Sequence, residues 1–429
     1  MDLRPLSDAL ARARRVRLDN VTLPGCLIGQ GAEVVRSALT LDGDRIADVT
    51  PEATVDMGGA MVFPAFVDMH THLDKGHIWT RSPNPSGTFM DALETVQADH
   101  EGRWSAEDVR ARAGFALRCA FAHGTRAVRT HLDALPPQDE ISFPVFRELR
   151  AEWQGRIDLQ AVCLVTADAV DPDGGGRFAR TADIVADSGA VLGMVPLPLP
   201  DMVERLRAFF RHATSRNLAA DFHVDETGDA TVANLRLIAQ TVLDTGFDAP
   251  VTVGHCCSLA VQAEAEALHT LDLVARAGLN VVSLPMCNLY LQDRTPGRTP
   301  RWRGVTMVHE MAARGIPVAF ASDNTRDPFY AHGDMDMLEV MREATRIAHL
   351  DHSGPHWPAA FTTTPAAACG FPAPSFATGA PADLVICRAR GFNELFSRPQ
   401  ADRIVIRAGR QIVRALPDHA ELDPYVRTA

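Results

Sequence analysis

Eight short runs with the pattern of buried strands recur through the middle of the chain, separated by amphipathic helical stretches. No other feature restricts the fold as strongly. The runs cover residues 66–74, 127–135, 158–165, 190–198, 218–226, 251–257, 280–288 and 317–324. One interval, "SAEDVRARAGFALRCAFAHG", opens on the capping pattern Ser105 to Asp108 and stops at Gly124. Eight strand-then-helix units predict an α/β fold of the (β/α)8 TIM-type barrel class over residues 65–375. A doubly wound open sheet is the alternative, but it would not bring the first and last runs together. The end segments behave differently. Residues 21–64 and 383–415 alternate short β-type runs with Gly/Asp turns, each too short to build a core alone. They predict one small β-sandwich domain assembled from both chain ends, residues 1–64 and 376–429.

The 54 acidic against 42 basic side chains give a net charge of -12, with no basic stripe to track phosphates, so nucleic acid is not an expected partner. No stretch approaches the roughly 20 apolar residues of a membrane span, and the first residues lack the apolar segment of a signal peptide. The eight cysteines form no C-x-x-C pair, as expected of reduced thiols in a cytoplasmic protein. Homo-oligomerisation is compatible with the sequence, which does not decide it.

In a barrel of this class the chemistry sits where the strands end. His70 and His72 end the first run, His223 and Glu226 the fifth, His255 the sixth and Asp323 the eighth. Residues i and i+2 of a strand face one side, so His70 and His72 point together. Joined by His223 and Asp323, they make a donor set suited to a divalent cation such as Zn²⁺ or Fe²⁺, with a position left for water. Such an ion lets water ionise near neutral pH. Glu226, three residues beyond His223, can reach a substrate atom without ligating the ion, and a raised pKa would suit it to carrying a proton. The sole lysine, Lys75, follows the His-x-His pair and is expected to offer its ammonium to a substrate carbonyl.

The segments "PAFVDMHTHLDK" (64–75), "VRTHLDA" (128–134), "DFHVDE" (221–226), "VTVGHC" (251–256) and "FASDNTRDPFY" (320–330) resemble the cytosine deaminase-like branch of the metal-dependent amidohydrolase superfamily. The resemblance spans nearly the whole barrel. It implies His70, His72, His223 and Asp323 as ligands of one metal ion, His255 as a contact to the attacking water, and Glu226 as the proton shuttle. Binuclear members carry a bridging lysine on the fourth strand. The fourth run here, "AVLGMVPLP", has none, so one ion per chain is expected.

Three departures concern the substrate. Where bacterial cytosine deaminases have a glutamine after the third strand, a second aspartate after the metal aspartate and a tryptophan beyond it, this chain has Thr166, Asn324 and Phe329. Asn324 both donates and accepts, and Phe329 leaves more room, so a different ring edge is expected to be read. The expected activity is hydrolytic release of ammonia or an amine from an amino-substituted nitrogen heterocycle: a cytosine, a pterin or an aminotriazine. Ring opening of a cyclic amide and ligand binding without turnover are the alternatives. His131 and Asp133 are read as supporting or packing residues, Cys256 and Cys257 as packing, and His77, His100 and His332 as loop or surface residues.

Overall fold

A computed structural model describes residues 4–427, which pack into two compact units. The first comprises residues 1–68, 118–127 and 335–417, and the second residues 69–117, 128–334 and 418–429, with the undescribed termini set aside. Residues 335–375, expected in the barrel segment, are thus grouped with the first unit, and the last residues with the second.

The first unit contains an eight-stranded sheet built from both chain ends. Strand Arg15–Pro24 alternates buried Val16 and Leu18 with outward arginines, a period of two that suits a half-buried strand. It pairs antiparallel with Val34–Asp42 and is flanked in parallel by Ala53–Asp56 and Met61–Pro64. The chain ends meet where Leu384–Cys387 runs antiparallel to Met61–Pro64, with Leu384 opposite Pro64. Leu6, Leu18, Leu41, Val62, Leu384 and Ile406 belong to the apolar cluster beneath this sheet.

The recurring runs form parallel strands: β1 (Phe66–Thr71), β2 (Thr125–Asp133), β3 (Asp158–Leu164), β4 (Leu192–Met194), β5 (Ala220–Val224), β6 (Val251–His255), β7 (Asn280–Ser283) and β8 (Val318–Phe320). β1, β2 and β3 make one sheet in that order, and β4 to β8 a second, in sequential order and wholly parallel. Isolated parallel bridges join Val162 to Val191, Thr166 to Val195 and Thr71 to Asp323. Helices fill the intervals, among them Ala106–His123, Asp139–Glu152, Met202–Ser215, Asn234–Thr245 and Glu264–Arg276. β1 is buried along its whole length, as expected of strands covered on both faces. The cap expected at Ser105 forms by half: Ser105 Oγ accepts from the Asp108 N–H, but the Asp108 carboxylate instead binds Arg81 and Arg112. Among the described residues no helix is long and apolar enough to cross a membrane.

Candidate active site

Polar side chains converge where β1, β5, β6 and β8 end. His70 Nε2 lies 3.1 Å from His223 Nε2, and His223 Nε2 lies 3.3 Å from His72 Nε2. Asp323 Oδ1 stands 3.5 Å from His70 Nε2 and 3.2 Å from His72 Nε2. Atoms bound about 2.1 Å from one ion are separated by roughly 3 to 3.4 Å, so these four have the spacing of ligands around a shared centre. Burial, with neighbouring positive or proton-binding groups, lowers the pKa of His70, His72 and His223 well below its ordinary value and keeps the imidazoles neutral. Nitrogen lone pairs and a carboxylate crowded together repel one another unless a cation lies between them. The donor set therefore fits a divalent metal ion.

Local backbone aims these groups. Asp323 and His255 occupy the left-handed region, with φ of 63° and 66°, as their strands give way to loops. Such strained non-glycine residues gather at functional sites. Gly254 has no side chain for a packing reason: a Cβ there would lie 3.1 Å from His70 Cε1.

Glu226 is held beside the cluster. Its Oε1 accepts from Asn288 Nδ2 at 3.0 Å, and the same amide lies 3.0 Å from His255 Nδ1. With both Asn288 protons given away, His255 Nδ1 is an acceptor and its Nε2 carries the proton. That Nε2 is buried without a hydrogen-bond partner among the described residues. Burial, then the nearby Asp323, raises the Glu226 carboxyl well above the ordinary carboxylate range, opposed by the Asn288 hydrogen bond and by Lys75. Asn288 went unassigned in the sequence because it lay inside a run read as a strand. Residues 285–291 are instead a helix, Pro285–Leu291, with proline at its first turn.

His131 also reaches the cluster, with a ring nitrogen within 4.8 Å of the ring nitrogens of His70, His72 and His223. Its Nε2 lies 3.1 Å from Asp221 Oδ1, and Arg129 holds the other oxygen of Asp221 at 3.0 Å. A buried ionic network thus supports the histidines from below.

Lys75 is almost wholly buried. Its Nζ lies 3.0 Å from Asp133 Oδ1 and 5.4 Å from the centre of the Phe329 ring. Burial disfavours its charge, but Asp133 and Asp74 outweigh burial and raise its pKa. Arg112 fixes the loop by donating to the carbonyls on both sides of Lys75, Asp74 at 2.5 Å and Gly76 at 2.9 Å. Asn324 is engaged internally: its Nδ2 donates to Asp327 Oδ2 at 2.7 Å and its Oδ1 lies 3.6 Å from Cys287 Sγ. Phe329 packs edge-on against Phe89, with ring centres 5.6 Å apart. Thr166 is half-buried at the end of β3, bridged through its backbone to Val195. His77 and His100 are buried rather than at the surface, and Cys256 and Cys257 are buried.

Parallel strands that end on such a metal-fitting cluster, with a carboxyl poised beside it, define a metal-dependent hydrolase. The amidohydrolase family model matches residues 53–141 and 173–413. A pterin deaminase of Rhizobium rhizogenes (strain K84 / ATCC BAA-868) is 50% identical over 427 residues, covering 96% of this chain and 97% of its own. The structure of 5-methylcytosine deaminase from Klebsiella pneumoniae liganded with phosphonocytosine superposes with TM-score 0.76 at 25% identity, over 93% of this chain and 98% of that one. N-isopropylammelide isopropylaminohydrolase from Burkholderia multivorans ATCC 17616 gives TM-score 0.72 at 26% identity, over 92% and 97%. The chain belongs to the amidohydrolase family, in its cytosine deaminase-like branch. It is a metal-dependent hydrolytic deaminase.

Proposed function

We propose that the substrate is a pterin, a 2-amino-4-oxopteridine, hydrolysed to the 2-oxo product and ammonia. The observation that carries this reading is the 50% identity to a pterin deaminase over 96% of the chain. His70, His72, His223 and Asp323 are the candidate ligands of one ion, Zn²⁺ or Fe²⁺, consistent with their spacing. When bound, such an ion activates water as a nucleophile.

The chain's own groups then move protons. As the water oxygen bonds to C2, Glu226 takes a proton from it and delivers it to N1, which receives the electron pair of the C2–N1 double bond. Asp323 passes the second water proton to the departing amine. The C2–N bond breaks, ammonia leaves with the electron pair, and C2 becomes a carbonyl. His255 donates from Nε2 to the attacking oxygen. The raised pKa of Glu226 suits it to both halves of the transfer.

The same reading takes the parallel strands as a closed eight-stranded barrel, supported by the bridges Val162–Val191 and Thr71–Asp323 at the two gaps between the sheets. It takes the end sheet as a sandwich, supported by the way strand Arg15–Pro24 shares its length between two parallel neighbours. The domain limits proposed are residues 1–64, 65–375 and 376–429. A cytoplasmic setting fits the eight free thiols. The test is ammonia release by metal-replete protein on pterin, cytosine, 5-methylcytosine and N-isopropylammelide. A kcat/KM on pterin at least tenfold above the others is expected, and preference for a pyrimidine or a triazine refutes the assignment.

A further inference from the structure

The ion pair between Lys75 and Asp133 is placed unusually for a structural one. The two residues belong to the segments that follow or end β1 and β2, and the ammonium is buried while the Asp133 side chain keeps 18% of its exposure. Lys75 is the ion-pair partner of the Asp133 carboxylate, and the ammonium has N–H groups beyond the one facing Asp133 Oδ1, as the carboxylate has lone pairs beyond the one facing Nζ. Phe329 walls the same space, with its ring 5.4 Å from Nζ. The loop is held from behind: Arg112 clamps the carbonyls flanking Lys75, and the Asp133 N–H donates to Asp74 Oδ2 at 2.8 Å. Donor and acceptor are therefore fixed side by side, with unused capacity.

We propose that Lys75 and Asp133 act as one recognition element for a lactam edge of the substrate, the ammonium donating to a ring carbonyl and the carboxylate accepting from the adjacent ring N–H. This rests on the pterin reading and names which edge of the ring is read. The carbonyl oxygen and ring nitrogen of a lactam lie roughly 2.3 Å apart by ordinary amide bond lengths. The Nζ and Oδ1 atoms, 3.0 Å apart, present the complementary pair with the opposite sense. In a pterin those atoms are O4 and N3–H, which leaves N1 on the other side of C2 for Glu226. Desolvation supplies the selectivity. A heterocycle that displaces water leaves the remaining donor and acceptor capacity of the pair unsatisfied unless it returns a carbonyl to one and an N–H to the other.

The test compares pterin, 3-methylpterin, which lacks the N3 proton, and 2-aminopteridine, which lacks both the C4 oxygen and the N3 proton. Each is assayed by kcat/KM on wild type, Asp133→Ala and Lys75→Met, with metal content and melting temperature measured alongside. Wild type is expected to favour pterin over 3-methylpterin by tenfold to a hundredfold. Asp133→Ala lowers turnover of pterin and leaves 3-methylpterin within about threefold, so the ratio collapses. Lys75→Met, which loses only the donor to the C4 oxygen, narrows the advantage of pterin over 2-aminopteridine by at least threefold. Asp133→Asn, which keeps the volume, reads the same ratio if the alanine variant melts early, with a fall of at least threefold expected. Pterin turnover with unchanged ratios in the variants overturns the pairing, as does an equal fall on every substrate, which would mean that the ion pair only positions the loop. Failure of metal-replete wild type to release ammonia from any of the three overturns the pterin reading, and this inference with it.

Discussion

Replacing Asn288 by alanine isolates one device in the proposed mechanism. The Asn288 amide donates 3.0 Å hydrogen bonds to Glu226 Oε1 and to His255 Nδ1, and it is fully buried. A hydrogen bond to a charged group contributes about 1.5–3 kcal/mol, so loss of the Glu226 bond alone corresponds to a roughly tenfold to hundredfold fall in kcat. The direction of the pH profile is fixed by the same contact. The Asn288 hydrogen bond lowers the Glu226 pKa against the upward push of burial, so its removal moves that pKa further up. Glu226 has to be ionised to accept the first proton, and the acidic limb of kcat/KM therefore shifts to higher pH. The assay is steady-state ammonia release from pterin between pH 5 and 9, with metal content checked in parallel. An Asn288→Ala enzyme with unchanged kcat and an unmoved acidic limb refutes the view that this amide orients the proton shuttle.

Glu226→Gln is expected to keep metal and fold while losing about two to four orders of magnitude in kcat, measured by the same assay; near-normal turnover would pass the proton to another group. Elemental analysis is expected to give one divalent ion per chain, and Gly254→Ala, whose Cβ would press on His70, to weaken metal retention about tenfold in a chelator competition. His77 is buried and neither ring nitrogen has a hydrogen-bond partner among the described residues, and burial lowers its pKa from 6.5 to about 3. Between those values the unfolded chain binds a proton that the folded one refuses, so this stability is fully present above pH 6.5 and is lost as pH falls towards 3. Urea unfolding at pH 7.5 and pH 5 should show a loss about 2 kcal/mol smaller in His77→Leu than in wild type.

The alternation of strand and helix was legible because burial on both faces forces continuous apolar runs, and each expected run contains one of β1 to β8 or most of it. Lengths were not legible. The run at residues 190–198 shrinks to Leu192–Met194, and the one at 280–288 stops at Ser283 before turning into a helix. Apolar pocket walls read like strand interiors, and only Pro285, suited to a first helical turn, marks the change. The metal-fitting set was legible for a related reason. Strand periodicity orients His70 with His72, and the other donors stand at strand ends, so one-dimensional spacing contains the geometry.

Partnerships across the fold were not contained in that spacing. Lys75 and Asp133 are 58 positions apart, as their numbers show, and although the sole lysine stands out, nothing in the spacing pairs it with Asp133 until the loop after β1 is brought beside the end of β2. Asp221 and His131 are 90 apart, and Asn288 is 62 from Glu226. These are second residues of pairs whose first members sequence reasoning had found, and polarity alone marks them no differently from surface groups. The division has a functional consequence. The residues that read out locally are those proposed for the hydrolytic step, whereas the pair proposed to choose the substrate is set by how neighbouring loops meet. Changing which heterocycle is accepted therefore requires no change in the strands that carry the ligands. The departures at Asn324 and Phe329 fit that separation, since both lie beyond the end of β8.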